Sequence, residues 1–325
     1  MKKAGILLLL LPFFGCTTTD TSIKNDFLSY TQIVFASGID AEEYLRTEDA
    51  FLLNLSPFDR SARLKTSREI DNVGYLDFIS GQVRDWTAAE KEKINQTMIT
   101  ISLALLEFNL VFPQEIVFIK TTGIEEGNAA YCRGNNVIVL PQDYVNLPVD
   151  RLYNLILHEL FHIYSRNNTE IQERLYGLLS YQKCKELQLP NDIFRWKITN
   201  PDAAVNNYFF SANINGADYN LMPILLTSSN YEEEKGGDFF DYMELYFIAV
   251  TEDENAMVPL KRNDVYVLFT KDHVPDYIEF VSRNTDYIIH PEEILASNFV
   301  LMVNKRNVPD MELIGKIKAV LKPSF

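Results

Sequence analysis

Residues 155–168 read LILHELFHIYSRNN. Apolar side chains recur at helical spacing here, and Leu152, Leu155, Ile156, Leu160, Phe161 and Ile163 leave little of the helix for solvent. Such a helix belongs in a core. It nevertheless carries His158, Glu159 and His162 in its middle, and the whole chain has only four histidines. Burying an unpartnered polar group costs roughly 1–3 kcal/mol, and a charge costs more. Three such groups in one turn demand a complement from elsewhere, so the chain must fold around this helix with that complement against its polar face.

His158 and His162 are four residues apart, on one helix face, one turn from each other. Two imidazoles in that relation can bind the same ion, and zinc is the usual one. Glu159 beside the first histidine can take a proton from a metal-bound water, whose pKa the ion lowers to about 7. A zinc that activates water needs a third protein ligand and one open position. Ser165 and Asn168 follow His162 where one extended motif would need a glycine and a third histidine, and Tyr181 stands where another spacing would need a glutamate. The remaining histidines are His273 and His290. The better candidate is HPEEILASNF (290–299), in which Glu292 and Glu293 open a helix behind Pro291. Neighbouring helix positions differ by roughly 100° in direction, so the two glutamates cannot both face the histidines. The residues alone leave both open.

Around these segments the pattern predicts a mixed α+β chain. Thr87 and Glu90 form a capping box opening a helix to about 107, and EIVFIKTT (115–122) reads as a strand. NAAYCRGNNVIVLP (128–141) reads as two short strands around Gly134, Asn135 and Asn136. The histidine helix starts at Asn146–Pro148 and runs to about 165. Thr169 and Gln172 suggest a second capping box and a helix to about 187. Residues 198–270 look β-rich, and helices are expected at 274–283, 290–304 and 309–321. Residues 20–85 read as short helices.

The N-terminus, MKKAGILLLLLPFFGC, has two lysines, an apolar run too short to span a membrane, and Gly15 before Cys16. It resembles the signal sequence of bacterial lipoproteins, although Phe13 stands where leucine is usual. That resemblance implies a signal peptide over 1–15, lipidation of Cys16, and an exported protein anchored by lipid at the periplasmic or outer face of the cell envelope. Residues 16–86 are then a tether and a mainly helical region, and 87–325 a second domain. The formal net charge is −15, and removal of Lys2 and Lys3 makes it more negative. Such a chain is not expected to bind nucleic acid, or anionic lipid without an anchor. Cys132 and Cys184 are either a disulfide or two free thiols.

His158, Glu159 and His162, with a Glu-x-x-Ala helix downstream, resemble the gluzincin group of zinc metallopeptidases, and EEILASNF is similar to the glutamate helix of its lethal-factor-like branch. The resemblance covers about 87–187 and 274–304. It implies a zincin-like domain: a mixed sheet with an edge strand ending NVIVLP, the metal helix, and the glutamate helix, with 198–270 as an insertion. It implies Zn2+ on His158, His162 and Glu293, with Glu159 as general base. Tyr287, just before the glutamate helix, would donate to the oxyanion, with His290 as its rival. An extended peptide or protein substrate would lie along the edge strand. Ser297 stands where the family often has an aspartate holding one histidine. The alternative is a lipid-anchored binding protein that keeps the fold without catalysis, or a closed structural zinc site.

Overall fold

The computed structural model describes residues 26–108 and 110–322, so the signal-sequence and Cys16 expectations fall outside the described residues. Five strands form the first sheet. β1 (Gln32–Ala36), β3 (Glu115–Thr121) and β5 (Val137–Pro141) are parallel, and β4 (Tyr131–Arg133) pairs antiparallel with β5 at the edge. β2 (Val83–Arg84) continues beside β3, with Val83 opposite Thr121. The strand ending NVIVLP is therefore internal, not the expected edge. All five residues of β5 are buried. A continuous apolar run is the mark of a strand covered on both faces.

The period-two alternation of β3 and β5 divides their side chains between two layers. Ile116, Phe118, Ile138 and Leu140 pack with Ile94, Met98 and Ile101 of the helix Ala88–Leu105 and with Ile156 and Leu160 of the helix Val149–Asn167. Val117, Ile119, Val137 and Val139 face Ala41, Leu45, Phe51, Tyr75 and Ile79, which lie on short helices before residue 81. The expected boundary at 86/87 is thus corrected. The N-terminal segment supplies a strand and one whole covering layer of the same sheet.

The β-rich region forms a second, antiparallel sheet in the order β11-β10-β9-β8-β6. These strands are β6 (Gln182–Lys183), β8 (Tyr208–Ile214), β9 (Ala217–Leu226), β10 (Glu244–Asp253) and β11 (Ala256–Pro259). β7 (Lys197–Ile198) pairs with β9. Phe210, Leu221 and Phe247 of this sheet share one core with Leu160 and Phe299. The stretch 198–270 is an integral layer rather than an appended lobe. The preceding helix, Thr169–Leu178, is shorter than predicted; Ser180 takes a positive φ of 67° and turns the chain towards β6. The second capping box does not form, because the helix begins at Thr169 itself with Asn168 as N-cap; Gln172 Nε2 donates to Ser165 Oγ.

Two helices meet at the centre. Val149–Asn167 buries Leu152, Ile156, Leu157, Leu160, Phe161 and Ile163, each worth roughly 1.5–3 kcal/mol of transfer from water. Pro291–Val303 starts at Pro291 with His290 as N-cap, whose Nδ1 accepts from the Glu292 N–H. The two helices lock through Phe161 and Phe299, whose rings lie 5.3 Å apart.

A third segment reaches the same place from the β-rich side. Residues 197–202 are held by the helix Pro57–Arg63: Ser56 Oγ donates to the Lys197 carbonyl at 2.6 Å, and Asp59 accepts from the Thr199 N–H. Arg63 donates to the Thr199 carbonyl and, in bidentate fashion, to Glu126 at 2.6 and 3.0 Å.

Candidate metal centre

Helical spacing brings His158 and His162 to one face, and the glutamate helix crosses opposite them. Glu293 Oε2 lies 3.1 Å from His158 Nε2 and 3.5 Å from His162 Nε2. The three ligand atoms all lie within 4.8 Å of one another. The ambiguity between the glutamates is resolved by the 100° step between them. Glu293 faces both imidazoles, whereas Glu292 Oε1 sits 3.1 Å from His162 Nδ1 on the far side of that ring. Glu292 is itself fixed by donation from Ser165 Oγ at 2.8 Å and Tyr176 Oη at 2.6 Å. The second oxygen of Glu293 accepts from Asn200 Nδ2 at 2.7 Å.

The orphaned atom here is His162 Nε2. It is buried, and Glu293 Oε2 is too far away to make a proper hydrogen bond, so the nitrogen has no partner. The other ring nitrogen already faces a carboxylate, and that fixes which nitrogen is left to coordinate. Two imidazoles and a carboxylate on a buried floor are a donor set suited to Zn2+. His158 is the more open of the two, with 21% of its side chain exposed, so this corner has room for a further ligand.

The electrostatics call for positive charge at this point. Burial opposes protonation of His162, yet Asp202 and Glu293 outweigh it and raise its pKa well above the usual range. Burial likewise opposes ionisation of Glu293, but His162 and His158 hold it well below the carboxylate range. Glu159 is pushed up to about 7 by burial and by Asp202, partly offset by the histidines. Its Oε2 accepts from the Cys132 thiol at 3.3 Å. Cys132 and Cys184 are both free.

His158, Glu159, Glu293 and Tyr287 line one cleft of about 790 Å³, together with Ala129 and Ala130. Of the two expected oxyanion donors, Tyr287 therefore borders the site and His290 does not. His290 lines a different cavity with Tyr176 and Tyr208, and its Nδ1 is occupied at the helix cap. His273 belongs to an exposed turn, where its Nδ1 accepts from the Thr270 N–H. Ser297 lines the cleft, but Glu292 fills the role expected of it beside a histidine. The outer side of β4 is partly used, since Asp202 accepts from the Cys132 N–H at 2.8 Å.

Sequence reasoning missed Glu292 as the support of His162, and also Asn200, Asp202, Cys132 and Tyr176. Only the twin glutamates carried a signal. The others arrive from separate loops, where no spacing relates them to the histidines. No described helix is long and apolar enough to cross a membrane. The chain matches no family model, no curated protein and no solved structure.

Proposed function

We propose that this protein is a zinc metallopeptidase of gluzincin type, a hydrolase of peptide bonds. The observation that carries the reading is the unpartnered His162 Nε2, buried within reach of His158 and Glu293, which both line the cleft. Zinc, when bound by His158, His162 and Glu293, would supply polarisation of the scissile carbonyl and a water acidic enough to ionise near neutrality. Glu159 takes the proton from that water and passes it to the leaving amine. A carboxyl with pKa near 7 suits both halves of that transfer. Tyr287 donates a hydrogen bond to the developing oxyanion. The substrate's backbone lies along 129–130, which line the cleft beside His158 and Tyr287.

Glu159 separates this reading from a binding protein or a closed structural site. A structural zinc has no use for an acid–base group beside its ligand, and neither His273 nor His290 faces the other ligands. In keeping with the N-terminal resemblance, we place the protein at the cell envelope, exported and lipid-anchored through Cys16. The test is Glu159→Gln in zinc-loaded protein. Hydrolysis of a mixed peptide pool should fall by about 10²–10⁴-fold, the usual worth of a general base, while zinc stays bound. Loss of the metal in that variant would make Glu159 a ligand and overturn its assigned role.

A further inference from the structure

The cleft continues past Tyr287. A smaller pocket of about 40 Å³ shares Ala129, Ala130, Asp202 and Tyr287 with it. Its remaining walls include Ile198, Leu225, Phe239, Phe240, Met243 and Ile289, nearly all from the β-rich region. These walls are held in place from behind. The Arg63 guanidinium lies 4.4 Å from the centre of the Phe239 ring, and the same guanidinium is bound by Glu126. Phe240 closes on Gly127, which has a φ of +58°; a Cβ there would lie 2.7 Å from Phe240 Cε2. The turn 239–242 is thus fitted against the loop that leads into Ala129 and Ala130. Tyr287, which lines both pocket and cleft, remains 42% exposed, and Phe240 on the pocket wall 39%. Large apolar side chains left open beside a pocket mark a binding surface.

We propose that this pocket is a side-chain subsite of the cleft, selecting a small branched aliphatic residue of an extended peptide lying along Ala129–Ala130. The inference rests on the peptidase reading for what happens to that peptide. Size decides the residue. One water needs about 10–15 Å³ of such space, so 40 Å³ holds roughly three or four heavy atoms. That suits valine or isoleucine and excludes an aromatic ring. Charge decides the class, because of the two carboxylates among the described wall residues Glu126 is bound by Arg63, and Asp202 accepts from the Cys132 N–H and pairs with Arg166. In an extended chain successive side chains point to opposite sides, so one residue can enter this pocket while its neighbour faces away. The cleft itself, which also reaches Leu147, Leu155 and Val300, has about 790 Å³ against about 40 Å³ for the pocket, so the pocket is the tighter filter. The β-rich region thereby acquires a task, as the wall that reads one substrate position.

The experiment uses the full chain loaded with zinc and a randomised peptide pool, with products sequenced by mass spectrometry. Binding of the same peptides to uncleaving Glu159→Gln protein is measured in parallel. Valine or isoleucine should be preferred over glycine and phenylalanine at one position within two residues of the cut, by about 10–200-fold for an apolar subsite. Met243→Trp, which fills the pocket, should move that preference to glycine and alanine. Phe240→Ala alters a half-exposed side chain and should admit phenylalanine at the same position; it keeps the test open if the tryptophan variant fails to fold. Cleavage without a small-aliphatic position, or with the same preference in both variants, overturns the subsite and leaves the peptidase. Valine-selective binding without cleavage keeps the subsite and overturns the peptidase. Neither cleavage nor selective binding overturns both.

Discussion

At the scale of single residues, the centre is a chain of assigned contacts. His162 has one nitrogen facing Glu292 and the other without a hydrogen-bond partner, and Glu292 is in turn fixed by Ser165 and Tyr176. Glu293 is steadied by Asn200. Removing such supporting groups commonly costs 10–100-fold in metal affinity. Glu292→Ala and Asn200→Ala should therefore each weaken zinc binding by about that factor, read by competition with a chromophoric chelator at neutral pH. Unchanged affinity in both would mean that the ligands hold their places unaided. The first tier of this site is visible in the sequence because two of its members share a helix face. The second tier is not. Asn200 and Asp202 sit in a loop between short strands, and only folding brings them within reach of the histidines.

At the scale of elements, the segment from β7 to Asp202 is the least expected and the most consequential. It is docked by Ser56, Asp59 and Arg63, groups from a region that reads in the sequence as a tether and a mainly helical segment. Local signals were strong where they were purely local. The Thr87–Glu90 capping box forms, with the Thr87 N–H donating to Glu90 at 2.7 Å. The Thr169–Gln172 pair has the same look, yet the helix takes Asn168 as its N-cap, one residue earlier, and Gln172 donates to Ser165. β1 escaped notice because five residues of mixed exposure make a weak period-two signal. β7 also carries a buried lysine. Burial lowers the pKa of Lys197 to about 8, with Asp59 and Glu186 offsetting it only in part. Below pH 8 both folded and unfolded chains hold the proton, and the folded state carries the full penalty. Between about 8 and 10.5 the unfolded chain binds more protons, so this contribution to stability rises with pH. Lys197→Met should stabilise the protein by about 1–3 kcal/mol at pH 7, with the gain shrinking toward pH 10. Urea denaturation across that range reads it. A variant less stable than wild type at pH 7 would mean that the ammonium is well paired.

At the scale of the whole molecule, two sheets and the helices between them share one core, and the cleft opens where they meet. The mixed α+β class is legible from alternating helical and strand patterns. The merging of three expected regions into one body is not, because it depends on β1 pairing with β3 and on Phe210 and Phe247 packing against the histidine helix's layer. Four carboxylates meet at the centre, Glu159, Asp202, Glu292 and Glu293, all buried or nearly so. A divalent cation there would tie the three layers together and offset that charge. The most direct measurement is zinc per chain by native mass spectrometry, for wild type beside Glu293→Ala, after loading at neutral pH. The account predicts about one tightly held zinc in wild type and its loss or marked weakening in the variant. Full retention of zinc without Glu293, or no zinc in wild type, would contradict it.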